Sequence, residues 1–153
     1  QCMSENLWFC KILGIDVGAP PLPEQETQAG FVERYAADAG ARVEALRQQS
    51  AAWWEEPVAF FEVGRSRAWV MTRRIAHSAH HRGQLTYMLR QLGRTLHSTY
   101  GPTADTGGLP ADDAPTIYAY PDVDAVLEAT AQGLTPANLP GPPSKPVTER
   151  PAK

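Results

Sequence analysis

Residues 73–85 read Arg-Arg-Ile-Ala-His-Ser-Ala-His-His-Arg-Gly-Gln-Leu and hold His77, His80 and His81, three of the four histidines in the chain. A helix advances about 100° per residue, so side chains four apart stand one above the other on a single face. On a helix, His77 and His81 could therefore share one metal ion. The same pair can also be read as hydrogen-bonded core residues, because a buried imidazole needs partners for both ring nitrogens whether or not a metal supplies one. In a zincin the residue after the first histidine is a glutamate acting as general base, whereas here it is Ser78, which argues against a zincin-type protease. No Asp or Glu occurs between Val63 and Ala104, so this segment offers neither a carboxylate ligand nor a local base.

The flanking pattern predicts the helix that would position them. Val70, His77, His81, Gln84, Met88 and Leu92 recur at helical spacing, and Ile75, Ala79, Leu85 and Leu89 widen the apolar arc. Ser66 is placed to cap its start. The segment is also strongly basic, with Arg65, Arg67, Arg73, Arg74, Arg82, Arg90 and Arg94 set against a formal net charge of −3 for the whole chain. That asymmetry calls for anionic partners. Ion pairing with acids of a neighbouring helix, such as Glu33 and Glu44, is the favoured reading over a carboxylate-bearing small molecule or nucleic acid. A nucleic-acid partner is disfavoured because aromatic residues are too sparsely interleaved for a base-stacking platform.

Upstream, Met3, Leu7, Trp8 and Leu13 predict a helix over about 2–14, stopped by Gly14, and prolines at 20, 21 and 23 make the following connection irregular. Thr27 is expected to cap a helix over 28–49 with Phe31, Tyr35, Ala39, Val43 and Leu46 on its apolar face. Pro57 interrupts the segment 50–65, where Trp53, Trp54, Phe60 and Phe61 predict a turn or short extended pair with the aromatics in core or cap packing. Beyond Gly93 the composition turns to Gly and Pro. Residues 98–110 read as a loop that lacks the Lys-Ser/Thr pair of a phosphate-binding P-loop. Residues 122–132 could form a short helix, and six prolines after Leu134 predict a disordered tail. His97 lies too far along from His77, roughly five helical turns, to join the same site.

The 153 residues suit one modest core, with apolar residues concentrated before position 100. No run of about 18 apolar residues occurs, so no membrane span is expected. The two cysteines, Cys2 and Cys10, are too few for a disulfide framework, and eight helical residues would hold their Cα atoms about 12 Å apart, beyond bridging reach. Free thiols fit a cytoplasmic location. Cys2 is a minor candidate for a metal ligand.

The run His77-Ser-Ala-His-His81-Arg82-Gly83-Gln84 resembles the HxxxHRGQ signature of the DinB/YfiT-like superfamily, and Leu89-Arg90-Gln91-Leu92-Gly93 is similar to the Leu-Arg-x-x-Gly ending that follows it. Trp8-Phe9 resembles the aromatic end of that family's second helix. The resemblance implies an all-α, DinB-like four-helix bundle with three histidines on a divalent metal, zinc or nickel, two of them matching His77 and His81. The remaining family ligand lies on the second helix, and no histidine precedes position 77. The expectation is thus a bundle truncated at its N-terminus, with the third ligand upstream of Gln1. The expected divisions are a partial bundle over 1–97, a loop-rich extension with a short helix over 98–133, and a Pro-rich tail over 134–153.

The implied activity is that of a metal-dependent thiol S-transferase or related hydrolase, in which the metal activates a thiol or water. Arg82 would pair with carboxylates of a small thiol or hold the bundle together, and Gln84 would orient a ligand or make a structural hydrogen bond. The other reading is a non-catalytic helical binding or dimerisation module linked to stress response. A homodimer is expected under both.

Overall fold

The structure is a computed structural model that describes residues 2–15 and 22–143. It is helix-rich, with α1 (Cys2–Leu13), α2 (Gln28–Arg47), α3 (Ala51–Glu55), α4 (Arg67–Gln91) and α5 (Val123–Gln132), and a hairpin of β1 (Pro57–Phe60) and β2 (Val63–Ser66) lies between α3 and α4. The chain divides into two units, Gln1–His81 and Arg82–Lys153, with the division falling inside α4.

In the first unit the helices start and stop where local chemistry dictates. Thr27 Oγ1 accepts the Gly30 amide at 3.1 Å and Ser50 Oγ accepts the Trp53 amide at 3.2 Å, each filling one of the orphan donors at a helix start. At the end of α1, Gly14 adopts φ +79°, a left-handed conformation that costs glycine little. Its amide donates to Lys11 O at 3.1 Å and the Ile15 amide to Cys10 O at 2.9 Å, the paired bonds of a Schellman stop. Ile15 is thereby turned into the core.

The all-α expectation needs one correction. Pro57 ends the short α3 and opens an antiparallel pair in which Pro57 faces Ser66 and Phe60 faces Val63. A two-residue turn joins the strands, with Phe61 at φ 54°. The extended pair expected around Pro57 is present, and the helix over 51–55 is an addition to it. The core gathers Phe9, Cys10, Leu13, Ile15, Phe60 and Val70, with Leu46, Trp53, Val58 and Met71 packed against it. Phe9, Leu13 and Val70 are almost wholly excluded from solvent. The Phe9 ring lies 4.7 Å from Trp8 and 6.4 Å from Phe60, both ordinary spacings for tilted aromatic pairs.

The predicted face of α2 is only partly covered. Phe31, Ala39 and Leu46 are half-buried, Tyr35 and Val43 are exposed, and the most buried residue of the helix is Arg42. Amphipathic spacing located the stripe, but a long cation at its edge found a place inside.

The second unit holds the rest of α4, which stops at Gly93 (φ +69°) with Arg94 N donating to Leu89 O at 3.0 Å. The region 98–110 is an ordered loop built on hydrogen bonds. Thr103 and Thr106 cap each other across a 3-10 turn, Ser98 N donates to Ile117 O at 2.8 Å, and Ile117 N returns to Ser98 Oγ at 2.9 Å. Asp122 Oδ1 accepts the Ala125 amide at 2.8 Å and starts α5 where a short helix was expected. Residues 134–143 have no helix or strand, yet they are tied down: Gly141 N donates to Asp105 O at 2.9 Å, and His97 Nε2 lies 3.1 Å from Ala137 O. The side chain of Cys2, the prolines at 20 and 21, and residues 144–153 of the predicted tail lie outside the described residues. Among the described residues no helix is long and apolar enough to cross a membrane.

Candidate metal centre

Arg67 and Val70 fix the start of the helix that carries the histidines. Ser66 Oγ accepts the Trp69 amide at 3.2 Å, as the sequence predicts. Arg67 then reaches back: its Nε donates to Leu13 O at 3.1 Å, and Nη1 donates to Trp53 O at 3.1 Å and to the Glu56 carboxylate at 2.6 Å. Its guanidinium also lies 4.5 Å from the centre of a Trp53 ring. The planar fork of arginine suits this many-sided contact, which joins the end of α1, α3 and the start of α4. Val70, one turn later, is fully buried and sets which face of α4 turns inward.

Two further turns along that face stand His77 and His81, both half-buried. Their Nε2 atoms approach to 3.2 Å, with ring centres 4.5 Å apart and planes at 79°. The Phe9 ring packs 6.2 Å from His77 and gives the pair an apolar wall. His80 is exposed, with its ring centre 5.1 Å from that of His81.

A separation of 3.2 Å suits two chemistries. One imidazole can donate to the other, or both nitrogens can bind one tetrahedral cation. With Zn–N bonds of about 2.0–2.1 Å, two ligands on a tetrahedral ion stand about 3.3 Å apart, so the donors are already spaced for that role. The donor set fits a divalent metal for two positions. Among the described residues no group of three or more His, Cys, Asp or Glu side chains is placed to hold a metal, so these two histidines do not by themselves make the three-histidine set that the sequence reading expects.

Arg82 and Gln84 lie at exposed positions of α4 in the second unit. The Arg82 guanidinium sits 5.1 Å from the centre of the Tyr100 ring. Three more arginines of the basic segment have contacts other than Glu33 and Glu44. Arg67 pairs with Glu56, and Arg90 pairs with Asp105 at 3.0 Å, while Arg65 of β2 lies over Trp69 at 5.2 Å. Glu44 is matched on its own helix, by Arg47 at 4.0 Å and Gln48 at 3.2 Å. Short-range partners on α2 are held at helical spacing and so satisfy Glu44 before a distant arginine can.

Asp105 has a role that sequence reasoning missed. Its Oδ2 accepts both the Leu96 amide at 2.8 Å and Arg90 Nη2 at 3.0 Å, which ties the loop to the end of α4. The signal available in advance was only that Asp105 is the first acid after a long stretch without one. A wide cavity of about 810 Å³ nearby is lined by Arg90, His97, Tyr100 and Thr103, and its one arginine is already committed to Asp105.

Comparison with known proteins gives one match. No curated protein and no solved structure shows significant similarity to the chain. The family model described as DinB family matches residues 3–109, which takes in all but the first residue of α1, then α2, α3, the hairpin, the whole of α4 and the histidine pair. The chain therefore belongs to the DinB family.

Proposed function

We propose that this protein is a divalent-metal-binding helical protein in which His77 and His81 supply two ligands through Nε2. The observation that carries this reading is their 3.2 Å convergence on a half-buried face of α4. Family membership supports it. A zinc or nickel ion held there would supply Lewis acidity, enough to bring the ionisation of a thiol or water toward neutral pH. The chain's own part is to hold the two imidazoles in register through the buried Val70 below them and to shield one side with Phe9. Such a site suits a thiol S-transferase or related hydrolase acting on a small thiol and an electrophile. Of the residues that follow His81 in the same signature, Arg82 is the proposed partner of a substrate carboxylate and Gln84 the proposed residue that orients a ligand or bound water.

The test is metal content after reconstitution with zinc or nickel and gel filtration, for the wild type and for His77→Ala, His81→Ala and His80→Ala. Near-stoichiometric metal in the wild type and in His80→Ala, with loss in the other two, is the expected pattern. Metal-free wild type, or equal loading in all four, would sink the reading.

A second reading is favoured by the end of α4 and the residue that follows it. Leu85, Met88 and Leu92 are 54%, 58% and 73% exposed, an apolar stripe suited to a binding or dimerisation module. Light scattering on Leu85→Lys and Leu92→Lys variants tests it. A dimer that dissociates supports self-association, and a monomeric wild type refutes it.

A further inference from the structure

In the first unit a cavity of about 250 Å³ opens between α1, α2 and α4; its lining shares Phe9 with the histidine pair but includes neither His77 nor His81. Phe9, Leu13, Ala39, Val43 and Leu46 make its walls largely apolar, and the lining also includes Tyr35, Cys10, Arg42 and Arg74. Arg42 is 6% exposed, and its Nη2 is buried with no hydrogen-bond partner among the described residues. Asp38 forms an ion pair with that nitrogen at 3.7 Å, beyond hydrogen-bond reach, and its Oδ2 already accepts from Arg34 Nε at 3.1 Å. A buried guanidinium donor left open is rare in native proteins, because removal of a cation from water is costly unless hydrogen bonds replace the lost hydration.

We propose that this cavity binds a small amphipathic carboxylate, whose anionic head pairs with Arg42 Nη2 and whose aryl or short alkyl body fills the apolar walls. Charge complementarity selects the head: among the described residues of the lining there is no acid, and the buried Arg42 Nη2 is a donor with an open position. Arginine is also the side chain best matched to a planar carboxylate. Volume selects the body. An apolar cavity of about 150 Å³ accommodates benzene, so the present one has room for a single ring with a short acid arm. Cys10 does not oppose the anion. Burial raises its thiol above the ordinary ionisation range against the smaller opposing pull of Arg42 and Arg74, so the group stays neutral at physiological pH.

The probe is phenylacetate, titrated into the metal-stripped full chain and followed by amide and arginine Nε–Hε nuclear magnetic resonance shifts, with the uncharged isostere phenylacetamide alongside. Saturable shifts at Cys10, Ala39 and Arg42 with phenylacetate, and binding of phenylacetamide at least about ten-fold weaker, are the expected results. Arg42→Gln should weaken phenylacetate to the level of the amide. Ala39→Phe, which fills the cavity while leaving Arg42 in place, should abolish binding, and its amide spectrum reports whether it is folded. Equal binding of acid and amide, shifts confined to residues outside the cavity, or an unaltered affinity in both variants would each overturn the proposal. Because the protein is stripped of metal, failure of the histidine site leaves this outcome unchanged.

Discussion

Replacement of Arg67 by alanine should be among the most damaging single changes in the first unit that removes no apolar side chain. Its Nε and Nη1 each donate to a backbone carbonyl at 3.1 Å, and a hydrogen bond from a charged donor contributes about 1.5 kcal/mol at the low end. The stack on Trp53 at 4.5 Å adds about 1 kcal/mol. The Glu56 pair is short, at 2.6 Å, but Glu56 is 60% exposed, so solvent screening limits it to less than about 1 kcal/mol. Together these put the loss for Arg67→Ala near 4 kcal/mol. Arg67→Lys keeps a charge but cannot present the fork to two carbonyls, and it should recover only about 1 kcal/mol. Glu56→Gln should cost under about 1 kcal/mol. Urea unfolding followed by far-ultraviolet circular dichroism measures all three from the transition midpoint at constant slope. If Arg67→Ala fell within about 1 kcal/mol of wild type, or if Glu56→Gln matched it, the claim that the backbone carbonyls carry the contact would be wrong.

Other expectations can be checked in the same way. Asp105→Ala removes the acceptor for the Leu96 amide and the partner of Arg90, and should destabilise the second unit by about 2–4 kcal/mol; protease resistance of the 98–110 loop should fall in parallel, and an unchanged digestion pattern would count against the assigned role. Asp122→Ala should cost about 1 kcal/mol through loss of the α5 cap, read as amide exchange at Ala125, with no acceleration there being the contrary result. Cys10 gains stability from remaining protonated when folded, because burial raises its ionisation above the ordinary thiol range. That contribution is complete below the unfolded thiol value of about 8.5 and declines as pH rises through the folded one. Melting temperature should accordingly fall less steeply from pH 8 to 10 in Cys10→Ala than in wild type, and identical slopes would refute the assignment.

The helix boundaries were largely legible because they rest on local chemistry. Thr27, Ser66 and Asp122 act on amides three residues away, and Gly14 and Gly93 stop their helices through their own backbone conformation. The histidine pair belongs to the same class, since a four-residue interval on one helix brings the rings together whatever surrounds them. The hairpin was half legible. Pro57 marked the break, but the pairing of Phe60 with Val63 depends on packing that places Phe60 in the core and leaves Phe61 outside.

What the sequence by itself determined is therefore the four longer helices, the caps at Thr27 and Ser66 and the one face that carries two convergent imidazoles, together with the signature that agrees with DinB family membership. Tertiary structure decided which charged groups are committed and to whom. Arg67 finds Leu13 O across 54 positions, and Asp105 closes on Arg90. Arg42 is drawn into an apolar cavity where Nη2 has no hydrogen-bond partner among the described residues. Seven arginines around one helix look alike in a one-dimensional reading. Long flexible cations reach in many directions, and only the three-dimensional placement of carbonyls, carboxylates and rings selects among them.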